Sequence, residues 1–208
     1  FLVAVCVAGH QFSLVGTTQF PYVVTTMLLL MVCVTFAIPV QTASKEHEVE
    51  SPNIAAILKQ SRVRLFLFST FFHLLSLTGF NIYLSLYLDS LGYDKTFIGI
   101  TWAASIVMEV FWFFNQGKLF GRLNVSAWLV ICSVAAFFRL GLTATFGGLW
   151  PVLLVAQALH AITYAAHHSA CTALLNEFFP GRARARGQAL YTVVAFGFAG
   201  VLGIASSG

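Results

Sequence analysis

Three ionisable residues stand in the middle of apolar stretches: Glu109 in ASIVMEVFWF, Arg139 in AAFFRLGLT and His160 in VAQALHAIT. Placing such a group in hydrocarbon costs about 2.5–3.5 kcal/mol on insertion scales, so each marks a functional position by default. A carboxylate, a guanidinium and an imidazole brought together can bind a polar solute or hold a proton. Blander readings compete. Glu109 and Arg139 can neutralise one another as a structural pair between helices, and His160 can be an imidazole hydrogen-bonded in the interior.

Depth separates these readings. At 1.5 Å rise per residue, Glu109 lies about 18 Å, Arg139 about 12 Å and His160 about 15 Å from the same membrane boundary. A structural ion pair needs no third titratable partner at its own depth, so the coincidence favours a solute or proton site. Gln157, His160, Thr163 (with Tyr164) and His167 recur at i, i+3 and i+6/i+7. This makes a polar stripe on one helix, expected to line a cavity. His168 lies about 100° away; near the helix end, it and His167 serve either gating and proton exit or packing. Asn81, with His73, Ser76, Tyr83 and Ser85 nearby, adds mid-depth polar groups on an earlier helix. The candidate solute-binding and proton-coupling residues are Glu109, Arg139, His160, Gln157, Tyr164 and Asn81, with no catalytic residue, metal ligand or cofactor implied.

These residues need membrane-spanning helices to position them, and the composition supplies them. Of 208 residues 59% are hydrophobic, 9% are charged and 21 are Phe, far from the roughly 25% charged residues of a soluble domain. Disorder is excluded by the same numbers. Nucleic-acid binding is excluded although the net charge is +4, because the basic residues form no contiguous face. The four cysteines, Cys6, Cys33, Cys132 and Cys171, lie far apart in separate apolar stretches and read as apolar filler.

Runs long enough for a helical span of about 20 residues fall near 1–10 (partial), 19–39, 63–88, 97–116, 127–146, 150–175 and 187–208. Strands are not expected, because ten-residue alternating runs are absent. Residues 40–62 form the one long polar connection, with a short interfacial helix expected over 53–60. Nine of the eleven basic residues lie in or beside three alternate connections, 40–62, 117–126 and 176–187. The positive-inside rule makes these cytoplasmic. Gly197, Gly200 and Gly203, with Ala195 and Ala199, give the last span a smooth face for close helix packing. In the run Phe111-Trp112-Phe113-Phe114 the rings surround the helix and mostly meet lipid, and Trp102 and Trp150 suit interfacial belts.

The layout resembles the major facilitator superfamily: paired spans, one long cytoplasmic linker, then further spans. Gly117-Lys118-Leu119-Phe120-Gly121-Arg122 looks like that family's G-x-L-x-x-R loop between helices 8 and 9, with Asn124 where a Gly is usual. Glu177-Phe178-Phe179-Pro180 followed by Arg186-Gly187 looks like its E-x-x-P-x-x-x-x-x-R-G stretch between helices 10 and 11. The resemblance implies an all-α polytopic membrane bundle, here about helices 5 to 11 of 12. Residues 1–39 would end the N-terminal half, 40–62 would be the central linker, and 63–208 would be the C-terminal half. A fragment of a longer chain is expected on that basis.

Met108-Glu109-Val110, Phe138-Arg139-Leu140 and Ala158-Leu159-His160 further resemble the lactose permease branch and its phenylpropionate-permease-like and nucleoside-symporter relatives. That resemblance implies proton-coupled symport of a small sugar, nucleoside or aromatic acid by a monomer in the plasma (inner) membrane. Glu109 would bind solute or carry the proton, Arg139 would tune it, and His160 would bridge to solute. Lactose permease has a second carboxylate one turn beyond the helix 10 His; here that position is Thr163. Two other classes stay open: a non-transporting sensor or scaffold on the same fold, and a membrane enzyme using histidine-bound metal, although no repeated H-x-x-H spacing is present. A channel is disfavoured, since no charge ring or carbonyl-filter motif appears.

Overall fold

The computed structural model describes residues 53–205, together with Tyr22, Thr25, Thr26 and Leu29, which are helical. The expected spans near 1–10 and most of 19–39, the linker over 40–52, and Cys6 and Cys33 lie outside the described residues. Everything described is helix or tight turn, with no strand among the described residues.

A short helix α1 (Ile54–Lys59) is capped by Asn53, whose side chain accepts from Ala55 N–H at 3.0 Å. Then come α2 (Ser61–Ser90), α3 (Lys95–Phe120) and α4 (Val125–Phe146). A continuous helical run follows over residues 150–178, composed of α5 (Trp150–Ala158), a π-helical turn (Ala161–Ala166) and α6 (His167–Phe178). A last run holds α7 (Arg184–Thr192), a second π-helical turn (Val193–Phe198) and α8 (Ala199–Ala205). Among the described residues four stretches are long and apolar enough to cross a bilayer: Ser61–Ser90, Lys95–Phe120, Val125–Phe146 and Gly181–Gly203. At 1.5 Å per residue the 150–178 run is about 40 Å long and spans equally well.

The helix starts follow from local chemistry. Asp94 accepts from Phe97 N–H and Asn124 from Ala127 N–H, both at 2.7 Å, satisfying donors that a helix start leaves open. Asn124 therefore has a capping duty at the position where a glycine was expected. Gly92 closes the α2–α3 turn at φ 86°, a conformation that costs a side-chain-bearing residue about 1 kcal/mol or more.

Each helix buries a narrow face and leaves its large apolar side chains outward. On α4 the buried face is Trp128, Cys132, Ala136, Arg139 and Thr143, spaced by three and four. Phe114, Phe137 and Val107 stay exposed, as lipid-facing residues do. Small residues dominate the contacts: Cys132, Ala161, Ala165, Ala166 and Ala170 form one cluster with Trp112 and Trp128. Lipid offers no hydrophobic force to press helices together, so close backbone approach does that work. In the 111–114 run Phe111, Phe113 and Phe114 are exposed, but Trp112 turns inward, its ring 5.2 Å from that of Trp128.

The bundle's two ends are tied differently. At one end Arg62, opening α2, pairs with Glu177, near the end of α6, at 3.4 Å. At the other, Tyr93 donates to Gly147 C=O and Tyr87 to Thr143 C=O, both at 3.1 Å. The last run lies along α2. A Cβ at Gly203 would stand 3.3 Å from Thr78 Cγ2, so this contact depends on a small residue. Two open cavities, of about 780 and 410 Å³, lie between α2 and α4 and share Ser76, Leu140 and Ala144.

Candidate functional site

The 150–178 helix lies against both α3 and α4, and this arrangement decides which polar groups meet. His160 Nε2 lies 2.7 Å from Glu109 Oε1. Glu109 and Arg139 make no direct ion pair; in place of the alternative reading of a structural pair between them, the carboxylate contacts the imidazole. Tyr164 stacks on the His160 ring, with centroids 5.3 Å apart and planes 6° from parallel.

Arg139 sits at 0% exposure, the largest fully buried side chain described. Its Nη2 donates to Gln157 Oε1 at 3.1 Å and its Nη1 to Thr163 Oγ1 at 3.3 Å. The Phe80 ring covers the guanidinium at 4.7 Å, a cation–π contact. Gln157 Oε1 also accepts from Ser105 Oγ at 2.6 Å, so one amide oxygen joins α3, α4 and α5. These bonds fix the amide's orientation: turned over, its NH₂ would face a guanidinium that can only donate.

Five of the six candidate residues thus gather in one polar seam around the 150–178 helix. Asn81 stands apart. It is half-buried on α2, and its Oδ1 makes no hydrogen bond among the described residues. The stripe Gln157, His160, Thr163 and His167 is buried within the bundle instead of lining either of the two cavities between α2 and α4. The reason is that α2, α3 and α4 all present polar partners to it.

Four contributors were not on the candidate list. Ser105 is four residues before Glu109 on one face of α3, with buried Thr101 a further turn back, and that spacing was readable. Thr163 supplies its hydroxyl to Arg139 at the position where a carboxylate was looked for. Phe80 gives no sequence signal.

His73 is the fourth. Its Nε2 donates to Thr163 C=O at 2.8 Å, and its ring stacks on His167 at 3.9 Å with planes 11° apart. The π turn accompanies this arrangement: His167 N–H bonds Tyr164 C=O, while Thr163 C=O faces His73. Such turns recur at functional positions in helices. His167 also lies 3.6 Å from Cys171 Sγ. Among the described residues no group of three His, Cys, Asp or Glu is placed to hold a metal ion.

Comparison with known proteins agrees with this architecture. The family model described as the MFS_1 like family matches residues 1–208. A probable 3-phenylpropionic acid transporter of Escherichia coli (strain K12) is 31% identical over 113 residues, which cover 54% of this chain and 29% of that relative. The match thus spans less than a third of the relative's length. No solved structure gives a significant match. With an all-helical bundle, helices that can cross a bilayer and a family match over its whole length, the chain is a multi-pass membrane protein belonging to the MFS_1 like family of the major facilitator superfamily.

Proposed function

We propose that the protein is a secondary transporter moving a small organic solute together with protons by alternating access. The observation that carries the reading is the Glu109–His160 contact of 2.7 Å beside a wholly buried Arg139, all within membrane-spanning helices. A carboxylate and an imidazole in contact share a proton readily, and solute arriving at the neighbouring guanidinium shifts where that proton is held. Glu109 holds the proton, His160 passes it toward solute, and Arg139, Gln157 and Tyr164 bind solute. Asn81 takes part only through a rearrangement that turns it toward this seam. Of the solutes considered, the relative named for 3-phenylpropionic acid supports an aromatic acid over a sugar or nucleoside.

The protein would work as a monomer in the plasma (inner) membrane, with residues 40–62, 117–126 and 176–187 on the cytoplasmic side, where nine basic residues collect. The test uses full-length protein in proteoliposomes carrying a lumenal pH probe. Labelled aromatic acids, sugars and nucleosides are supplied under an imposed proton gradient. Solute-dependent proton uptake, absent in a folded Glu109→Gln variant, is the expected result. Unchanged uptake in that variant sinks the assignment of Glu109. Solute binding without any flux would identify a sensor instead.

A further inference from the structure

We infer that His168 is the group through which the proton held by the Glu109–His160 pair leaves toward the 176–187 side of the membrane. This rests on the transport reading above and adds a residue to the proton's path, outside the seam itself.

Two histidines follow one another on the 150–178 helix, and their surroundings are opposite. His167 is buried, with its ring stacked on His73 of α2 and its two nitrogens 3.6 and 3.7 Å from Cys171 Sγ. His168 is exposed. On its other side Ser169 donates to Gln116 Oε1 of α3 at 2.9 Å. Successive residues turn by about 100°. His168 therefore points out between α2, which His167 faces, and α3, which Ser169 faces. It stands about 12 Å along the axis from His160, with about 15 Å of helix still to run to Phe178. That is within the roughly 30 Å of hydrocarbon. Ionisable side chains at such depth turn to the bundle interior or to a water-filled cleft. His167 occupies the interior position, so His168 faces a cleft that holds water.

The pair opens in the same direction. The Glu109 side chain is 22% exposed against 9% for His160, so the carboxyl is the side from which a proton can leave. Tyr164, half-buried and stacked on the His160 ring, lies between the pair and His168 along the helix. Long side chains on a helix lean toward its N-terminus, which carries the His168 ring up toward the level of Tyr164 and shortens the gap that water must bridge. In the step itself the O–H bond of protonated Glu109 breaks, cleft water passes the proton on, and a ring-nitrogen lone pair of His168 accepts it. The imidazolium then gives that proton to bulk water. Glu109 ends ionised, and His168 ends neutral as it began. Imidazole suits this task because it takes up and returns protons near neutral pH. The titratable groups around it are His160, Tyr164 and His167 on its own helix, Glu109 on α3 and His73 on α2. Cys171 and Tyr191 lie behind His167, and Arg139 lies behind Gln157 and Thr163.

The test uses full-length protein in proteoliposomes with labelled 3-phenylpropionate as the probe. Two rates are compared: uptake driven by a proton gradient, which requires the proton to leave, and exchange of labelled for unlabelled solute at equal pH, which does not. His168→Asn is expected to slow driven uptake roughly 10- to 100-fold, since cleft water replaces part of what a positioned proton-transfer group supplies. Exchange should keep its wild-type rate. Free imidazole in the buffer on the 176–187 side should restore much of the lost uptake. His167→Asn removes a buried, stacked ring, and imidazole should restore nothing there. Unchanged driven uptake in His168→Asn overturns the inference. So does an equal fall in uptake and exchange that imidazole leaves in place, the signature of a packing role, and so does rescue of His167→Asn in place of His168→Asn. Wild-type protein that moves solute with no proton, or no solute at all, overturns the transport reading itself.

Discussion

Gly187→Ala, on α7, sets two well-measured effects against each other. In a helix interior this exchange ordinarily gains about 1 kcal/mol. Here a Cβ would stand 2.4 Å from Phe179 Cγ, 2.6 Å from its Cδ2 and 2.8 Å from its Cβ. Carbon atoms rest about 3.5–4.0 Å apart, so three atoms overlap by roughly 1 Å each. The ring has nowhere to go. Phe179 is fully buried, its N–H is bonded to Leu175 C=O at 2.9 Å, and Pro180 follows it. Relief requires backbone movement, which puts the cost at the upper part of the roughly 1–3 kcal/mol range for overpacking. The net expectation is a loss of about 1–2 kcal/mol. Thermal unfolding of the detergent-solubilised full-length protein measures it, with Phe179→Ala and the double variant completing a cycle. Gly187→Ala should lower the midpoint, and in the Phe179→Ala background, which lacks Cγ and Cδ2, it should lower it much less. An equal or higher midpoint for Gly187→Ala alone would show that the ring does not rest on this glycine, and the packing argument would fall.

Three other outcomes follow from the seam and the rim. Gln157→Leu should cost about 1.5–3 kcal/mol, because it strips an acceptor from a buried guanidinium, whereas Ser105→Ala should cost about 1 kcal/mol; since both donors share Gln157 Oε1, the double variant should cost less than the sum in the same unfolding assay. Glu177→Gln should shift stability by no more than about 0.5 kcal/mol, because the Arg62–Glu177 pair is exposed; a larger loss would give that motif glutamate a structural role its geometry does not suggest. Tyr93→Phe should cost about 1 kcal/mol through the bond to Gly147 C=O, without changing solute binding.

Hydropathy alone sufficed to place the helices, because lipid demands long apolar runs with every backbone group bonded internally. The described helices begin and end within a few residues of the runs read from the sequence, and the polar boundaries Asp94 and Asn124 prove to be caps. The depth argument put Glu109, Arg139 and His160 at one height, and the structure sets Glu109 against His160 and Arg139 against Gln157 on the same helical run. Depth carried no azimuth, and so the partner of Glu109 was open until the 150–178 helix was seen between α3 and α4. Ser105 was within reach of the same logic, four residues from Glu109. Phe80 and the His73–His167 stack were not, since both depend on how α2 meets distant helices. The π turns were invisible for a further reason: one additional residue per turn leaves composition and hydropathy unchanged.

Those turns carry a consequence for register. A π turn accommodates one residue more than an α-helix would over the same height, so residues after Ala166 face about 100° from where uninterrupted α-helical counting puts them. Position-by-position comparison with any relative that lacks the turn at Ala161–Ala166 goes out of phase there unless a gap is opened inside the helix, a place where alignments rarely open one. The same offset is an engineering handle. Removing one alanine from that turn would convert it to ordinary α-helix over the same height and leave His167 stacked on His73, whereas the same deletion in a turn that is already α-helical would swing everything beyond it by about 100°.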